Sequence, residues 1–293
     1  MTALVLGRRI AGMLDRPAGI ARRSPTFAFG LIIVVFFLLL ALFADLVTPF
    51  GSTEGFAYEV LKAPGARFLF GSDGNGMDVF SRVIHGSRYA FGIAVPAGLI
   101  MVAIGVPVGI VAGYKGGLVD EVLLRVLDVF RAFPSIILAL AVVAATGQSL
   151  LNVVLVIGLL DSPIFARIVR AEVLALREST FVRAAVAIGN PSWRVMAVHI
   201  LPNAILGATA QLPIRMAWAV RISATLAFIG VGVQAPAPEW GAMIRQGAEY
   251  VISGEWWVAA FPGMALILLV LGFNLLGDGA SDILDPRRRA AGK

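Results

Sequence analysis

Residues 27–44 read FAFGLIIVVFFLLLALFA, an apolar block of 18 residues that contains no charge. Because a helix rises 1.5 Å per residue, such a block nearly covers the hydrocarbon core of a bilayer, which is roughly 30 Å thick. The block follows a long arginine-rich stretch and ends at Asp45, which begins a polar segment instead of a small-residue cleavage site. It therefore predicts a membrane-spanning helix and argues against a cleaved signal peptide.

The composition of the whole chain is that of an integral membrane protein. Hydrophobic residues make up 59% of its 293 residues and charged residues only 14%, which leaves too little polar surface to cover a soluble globule. The chain has no cysteine, and this excludes a disulfide framework, a thiolate metal site and a cysteine nucleophile. Its two histidines, His85 and His199, are far apart, so we expect no metal site.

Five further apolar blocks follow the first and predict an all-α membrane protein with six transmembrane helices. The additional helices are expected at about 89–114, 119–145, 150–176, 203–231 and 257–277. The block at 89–114 is rich in Gly and Pro, which is typical of a helix packed closely inside a bundle. The predicted organisation is a tail 1–26, a first helix 27–47, a polar outer loop 48–87, a five-helix core 88–278 with a cytoplasmic loop at about 179–203, and a tail 279–293.

The distribution of basic residues predicts the orientation. With the amino end inside, 17 of the 24 Lys and Arg side chains lie on the cytoplasmic side, including three in 114–131, and five lie outside. The remaining two, Arg215 and Arg221, lie within the fifth helix. An excess of basic residues marks the cytoplasmic side. We therefore expect a multi-pass protein of the cytoplasmic (inner) membrane with both termini in the cytoplasm, and the net charge of +6 requires no nucleic-acid partner.

The cytoplasmic stretch 181–203 reads FVRAAVAIGNPSWRVMAVHILPN. Its first residues are apolar at spacings of i, i+4 and i+7, which predicts a short helix. Gly189 is suited to end that helix in a left-handed conformation, and Asn190 and Pro191 suit the cap and first turn of another. A short helix across the end of the bundle is well shaped to dock into a groove on a partner. From the residues alone, a plain surface loop is an equally good interpretation.

Two charges are predicted to meet inside the membrane. Asp161 lies about 16 Å from the outer end of the fourth helix, and Arg215 lies about 18 Å from the inner end of the fifth. Because buried charges in bilayers usually face the bundle interior and pair, we hypothesise an Asp161–Arg215 pair. Snorkelling, or exposure to a water-filled cavity, is the alternative. Arg221 lies on a different face of the fifth helix, where it suits either contact with a peptide carboxylate or a structural role.

Several motifs resemble one known family. Ala184-Ala185, Gly189 and Ile200-Leu201-Pro202 resemble the EAA loop of ABC-transporter permeases, with Arg183 at the position of that loop's glutamate. Four longer stretches resemble the C-type permease subunit of ABC importers for dipeptides, oligopeptides and nickel. They are FGSDGNGMDVFSRVIHGSRYA (70–90), GYKGGLVDEVLLRVLDVFRAFP (113–134), LAFIGVGVQAPAPEWGAMI (226–244) and WWVAAFPGMALILLVLGFNLLGDGASDILDPR (256–287), so the resemblance extends from about 24 to 287.

The resemblance implies a type I ABC-importer permease fold and half of a translocation pathway for dipeptides, oligopeptides or similar solutes. The implied partners are a B-type permease subunit in a heterodimer, two ATP-binding subunits or one fused ATPase, an extracytoplasmic solute-binding protein and membrane lipid. The coupling helix that contacts the ATPase would use Arg183, Ala184, Ala185, Gly189, Asn190 and Pro191. The outer gate, where the binding protein docks, would involve Asp73, Asp78, Pro238 and Trp240. Asp161, Arg215 and Arg221 would lie along the pathway.

The sequence also bears on the source of energy. No G-x-x-x-x-G-K-[ST] motif occurs, so we expect the chain to be no enzyme, to bind no cofactor, and to depend on partner subunits that use ATP and Mg²⁺. The main alternative is a secondary transporter driven by an ion gradient. That class predicts paired discontinuous helices and inverted repeats, which the sequence does not reveal. A membrane enzyme would need a nucleophile or metal constellation, and none is evident.

Overall fold

The architecture was taken from a computed structural model, which describes residues 24–284. Five helices in that range are long and apolar enough to cross a membrane. In chain order the helices are α1 (Pro25–Leu42), α2 (Ala44–Val47), α3 (Val79–Lys115), α4 (Gly117–Val129), α5 (Ser135–Thr146), α6 (Leu150–Arg177), α7 (Thr180–Ala187), α8 (Ser192–Ile229), α9 (Trp240–Ala248) and α10 (Trp257–Leu284). The long helices are α1, α3, α6, α8 and α10, and α4 with α5 makes the remaining crossing. The predicted all-helical bundle with six crossings is confirmed.

The two ends of the bundle differ in structure. The loop end consists of residues 48–78 and 230–256, and there Trp257 Nε1 donates a hydrogen bond to Ser72 O over 3.2 Å. The short-helix end consists of residues 180–194, and beside it Arg177 Nη1 donates to Tyr114 O over 3.4 Å. The predicted basic tails fall largely on residues 1–23 and 285–293, which lie outside the described residues.

The centre of the bundle is a close contact between α3 and α6. Gly105, Gly109 and Gly113 recur every four residues and face α6 along one stripe. A Cβ atom at Gly109 would lie 2.5 Å from Ala166 O, and one at Gly113 would lie 3.0 Å from Arg170 O, so only glycine allows the two backbones this approach. Small residues serve the same purpose in many membrane helix pairs. The prediction that the Gly-rich block packs inside the bundle is therefore confirmed.

The third crossing differs from the sequence prediction. A single helix was expected at about 119–145, but α4 ends at Val129 and α5 begins at Ser135. Pro134 explains part of the difference, because proline lacks an N–H donor and disfavours helical geometry in the residue before it. Arg131, which the sequence analysis counted with the cytoplasmic charges, lies in this break. Two ion pairs, Asp120 with Arg170 and Asp128 with Arg167, hold α4 against α6.

Three other helices are longer than their apolar blocks. α3 begins at Val79, inside the stretch 48–87 that was assigned to a loop, because Asp78 caps it by accepting a hydrogen bond from Ser81 N over 2.8 Å. α8 begins at Ser192 instead of about 203, and a wide π-helical turn at Val195–Ile200 precedes Pro202. α10 continues to Leu284, into the segment assigned to the tail.

Helix α1 packs on α10 through another close approach. A Cβ atom at Gly30 would overlap Leu276 N and would lie 2.8 Å from Gly272 O. Backbone atoms cannot rotate out of the way as a side chain can, so the contact depends on Gly30 having no side chain. In contrast, a Cβ atom at Gly263, also on α10, would have no atom within 4 Å.

We predict that Gly30→Ala lowers the free energy of unfolding by about 1–3 kcal/mol, because the added methyl group forces α1 and α10 apart. The measurement is the thermal unfolding of the purified protein in a bilayer mimetic, and Gly263→Ala is the matched control. Equal melting temperatures for the two variants would show that the close approach has no energetic importance.

Candidate functional site

The short-helix end presents an exposed apolar surface. Val182 and Ala185 of α7 are buried against the bundle, whereas Val186 and Ile188 are exposed, Ile188 to 81%. Trp193, at the start of α8, is 66% exposed. α7 is therefore held on the bundle by one face and leaves apolar side chains available on the other.

The turn after α7 follows the prediction in part. Gly189 has a φ of +84°, so the expected left-handed end of the helix is present. Asn190 was expected to cap the following helix, but it instead closes α7, because its Nδ2 donates to Ala185 O over 3.0 Å. Pro191 takes the capping position, and its carbonyl oxygen accepts from Arg194 N over 2.9 Å. Arg183 and Ala184 are exposed on α7, while Ala185 is buried.

An open cleft of ≈ 750 Å³ lies between α7 and the ends of α3 and α6. Tyr114 and Lys115 border it on one side, and Val182, Arg183 and Val186 border it on the other. Only two residues separate α6 from α7, so the position of the short helix is tied directly to that of α6.

The predicted intramembrane pair is present. Arg215 Nη1 lies 3.5 Å from Asp161 Oδ1, and the Asp161 side chain is completely buried. The contact joins α6 to α8. Asp161 Oδ2 and Arg215 Nε are buried and have no hydrogen-bond partner among the described residues, so the pair leaves hydrogen-bonding capacity on both sides. Arg221 is exposed in this single chain and forms no ion pair with another residue in 24–284, so its role stays a prediction.

The four residues predicted at the outer gate are all buried at the loop end: Asp73, Asp78, Pro238 and Trp240. Trp240 is 2% exposed, and its Nε1 donates to Val83 O over 3.0 Å. Asp73 Oδ1 accepts from Asn75 N over 2.8 Å and shapes a turn. Because these side chains are turned inward, the prediction that they touch a docked protein is not supported by the arrangement of this chain.

Arg82 was not singled out by the sequence reasoning, although it connects the separate parts of the loop end. It is almost fully buried, and its Nε lies 3.4 Å from Asp73 Oδ2. Its Nη1 donates to Ser52 O over 2.9 Å and to Pro236 O over 3.2 Å. No local sequence signal reveals this, since the partners come from three distant segments.

A second ion-pair cluster fixes the start of the same loop. Arg88 Nη2 lies 2.7 Å from Asp45 Oδ2, and His85 Nε2 lies 3.1 Å from Asp45 Oδ1. The hydrogen bond from Arg88, with a second from His85, lowers the pKa of the Asp45 carboxyl to about 2. The Asp45 carboxylate therefore stays ionised at physiological pH, and the cluster joins the end of α1 to the first turns of α3.

Comparison with known proteins identifies the family. Residues 105–290 match the family described as binding-protein-dependent transport system inner membrane component. The chain belongs to this permease family. Residues 21–64 also match the N-terminal transmembrane domain of oligopeptide transport permease C. The resemblance inferred from the EAA-like loop and the four longer stretches is thereby confirmed, and the protein is a multi-pass inner membrane component.

Three relatives cover nearly the whole permease. The dipeptide transport system permease protein DppC of Alkalihalophilus pseudofirmus is 40% identical over 89% of this chain and 86% of its own length. A probable D,D-dipeptide transport system permease protein, DdpC of Escherichia coli, is 38% identical over 92% and 90%. The glutathione transport system permease protein GsiD of Pectobacterium atrosepticum is 36% identical over 92% and 89%.

Glu239 is a further buried acid at the loop end of the permease. It is 5% exposed and caps α9, because its Oε2 accepts a hydrogen bond from Ala242 N over 2.9 Å. Burial raises the pKa of its carboxyl from 4.5 to about 7. The folded protein therefore binds a proton at Glu239 more tightly than the unfolded chain does. This contribution to stability is complete below about pH 4.5 and is lost as the pH rises to about 7.

We predict that the permease loses up to about 3 kcal/mol of stability from Glu239 between pH 4.5 and pH 7. Glu239→Gln imitates the protonated side chain and should remove that part of the pH dependence. The measurement is the melting temperature at pH 5 and pH 8, with Glu249→Gln, an exposed acid at the other end of α9, as the matched control. The same pH dependence in all three proteins would contradict the assignment.

Proposed function

We propose that this permease forms half of the translocation pathway of an ATP-driven importer in the cytoplasmic membrane. Its cargo would be dipeptides, oligopeptides or related small solutes such as glutathione, delivered by an extracytoplasmic solute-binding protein. The names of the three relatives, which are permeases for dipeptides, D,D-dipeptides and glutathione, support this range of cargo. Both termini would lie in the cytoplasm, as the positive-inside bias indicates.

The observation that carries the proposal is the exposed apolar surface around α7. A patch of exposed apolar side chains is typical of a surface that contacts another protein. Ile188 and Trp193 form such a surface at the end where the basic residues predict cytoplasm. We assign this surface, with Arg183 and Ala184 beside it, to a cleft on an ATP-hydrolysing partner.

The connections of α7 suit it to transmit force. α7 follows α6 after two residues and precedes α8 by four, and these two helices carry the Asp161–Arg215 pair. When ATP binding brings two partner subunits together, a displacement of α7 would be passed to both helices. The cavity of the bundle would then open to the other side of the membrane.

The complex would contain a B-type permease subunit in a heterodimer with this chain, and two ATP-binding subunits or one fused ATPase. ATP and Mg²⁺ would be used by those subunits, while this chain would bind no cofactor. At the loop end, we assign Asp73, Asp78, Pro238 and Trp240 to holding the outer loops in shape. The binding protein would meet more exposed neighbours, such as Tyr58 and Ile252. A secondary transporter would be expected to have discontinuous helices in pairs, whereas residues 24–284 contain one broken crossing, and the family membership also favours the importer.

We predict that Gly189→Trp uncouples ATP hydrolysis from uptake. A side chain at Gly189 would meet no atom of this chain within 4 Å, so the indole would project into the space intended for the ATPase. The left-handed backbone adds a strain of about 1–2 kcal/mol, which leaves insertion and assembly partly intact. The measurement is ATP hydrolysis and peptide uptake by the complete complex in proteoliposomes.

The matched control is Gly189→Asn, because asparagine tolerates the left-handed conformation and is small. It should retain at least half of the coupled uptake, while Gly189→Trp should lose about tenfold or more. Normal coupled uptake by Gly189→Trp would show that α7 does not enter a partner's cleft.

A further inference from the structure

A cavity of ≈ 460 Å³ lies at the break in the third crossing. One wall is the break itself with the first residue of α5, residues 131–135, and the other walls include Asp161 of α6 and Trp218 of α8. Asp161 is 11 residues, or about 16 Å, from the start of α6, which places the cavity well inside the bilayer. A volume of this size is within the range of small-molecule binding sites.

Asp161, which lines this cavity, has an acceptor without a partner in the described part of the chain. Its side chain is completely buried and its Oδ1 is paired with Arg215, but its Oδ2 has no hydrogen-bond partner among residues 24–284. An ionised carboxylate oxygen without a donor is costly in a medium of low dielectric constant. A cationic N–H donor that entered the cavity would relieve that cost.

The opposite wall of the cavity is positive. Arg131 lies in the break, and its side chain forms no hydrogen bond or ion pair with any residue that the structure describes. The helix α5 begins beside it at Ser135, and Pro134, which precedes the helix, provides no side-chain cap. Because Ser135 also lines the cavity, the uncapped first turn of α5 lies beside it, and the free N–H groups of such a turn favour an anion.

We propose that this cavity is a transit site for a zwitterion, in which a short peptide places its amino group on Asp161 Oδ2. Its carboxylate lies on Arg131 and on the first N–H groups of α5. The inference rests on the proposed function, because it names how the same pathway recognises its cargo. Recognition of the two charged ends of a peptide does not depend on its side chains, which suits a pathway that carries peptides of many sequences. The binding is weak, since cargo must also leave the site.

The test measures binding of radiolabelled dialanine and of glutathione to the complete complex in nanodiscs, without the binding protein. For the wild type, we expect dialanine to bind saturably. N-acetylation and C-amidation of the peptide should each weaken its binding by about tenfold, because each removes one charge-assisted hydrogen bond. Asp161→Asn should weaken binding of dialanine about tenfold and should abolish the further effect of N-acetylation. Arg131→Gln should likewise weaken the binding of dialanine about tenfold and should abolish the further effect of C-amidation.

Arg125→Gln is the matched control, because Arg125 is an exposed arginine on α4 that pairs with Glu121. It should bind all the ligands as the wild type does. A merely structural role of Asp161 or Arg131 would weaken every ligand equally, and that result overturns the proposal. Three other results overturn the proposal. The first is that neither dialanine nor glutathione binds saturably, and the second is that N-acetylation still weakens binding to Asp161→Asn as it does for the wild type. The third is that Arg221→Gln, and not Arg131→Gln, removes the effect of C-amidation. ATP-driven uptake by the same complex is assayed in parallel. Uptake without these binding effects would contradict the transit site while supporting the importer function.

Discussion

The close approach of α3 and α6 is the contact on which the rest of the permease depends. It requires glycine at positions 105, 109 and 113, because at 109 and 113 a Cβ atom would meet the backbone of α6. In a bilayer, where apolar burial alone does not drive helices together, packing of this kind supplies much of the association energy. This contact between α3 and α6, the seam, ends beside Tyr114 and Arg177, next to the short helix, and α6 also carries Asp161 at mid-depth. It therefore connects the two places to which we assign function.

The third crossing is attached to this seam by a different kind of contact. α4 meets α6 through the ion pairs of Asp120 with Arg170 and Asp128 with Arg167, while the chain between α4 and α5 is not helical. Irregular backbone inside a membrane is tolerated only where protein or a cavity surrounds it. The cavity beside Arg131 meets that condition.

The sequence predicts the parts of this structure that depend on local pattern. The length of the apolar blocks predicts the crossings. Helical rise places Asp161 and Arg215 at similar depths, which suggested a pair that the structure contains between α6 and α8. The break at Pro134 was missed because apolar residues on both sides hide it within one hydropathic block. The beginning of α3 was misjudged because a charged residue such as Arg82 is typical of a polar loop. The residues that bind Arg82 in the folded protein come from other segments of the sequence, so no local pattern predicts its burial. Trp240 was expected in a contact with another protein, and only the fold reveals that it is buried.

The central claim is that the surface around α7 docks on an ATP-hydrolysing subunit in the cytoplasm. Because the chain contains no cysteine, Ile188→Cys introduces a single thiol on that surface, and Ile252→Cys introduces one at the loop end. Each is labelled with a photoactivatable cross-linker in native membranes that contain the complete complex. We expect position 188 to cross-link to the ATPase and position 252 not to cross-link to it. Cross-linking of position 188 to the extracytoplasmic binding protein, or of position 252 to the ATPase, would contradict it.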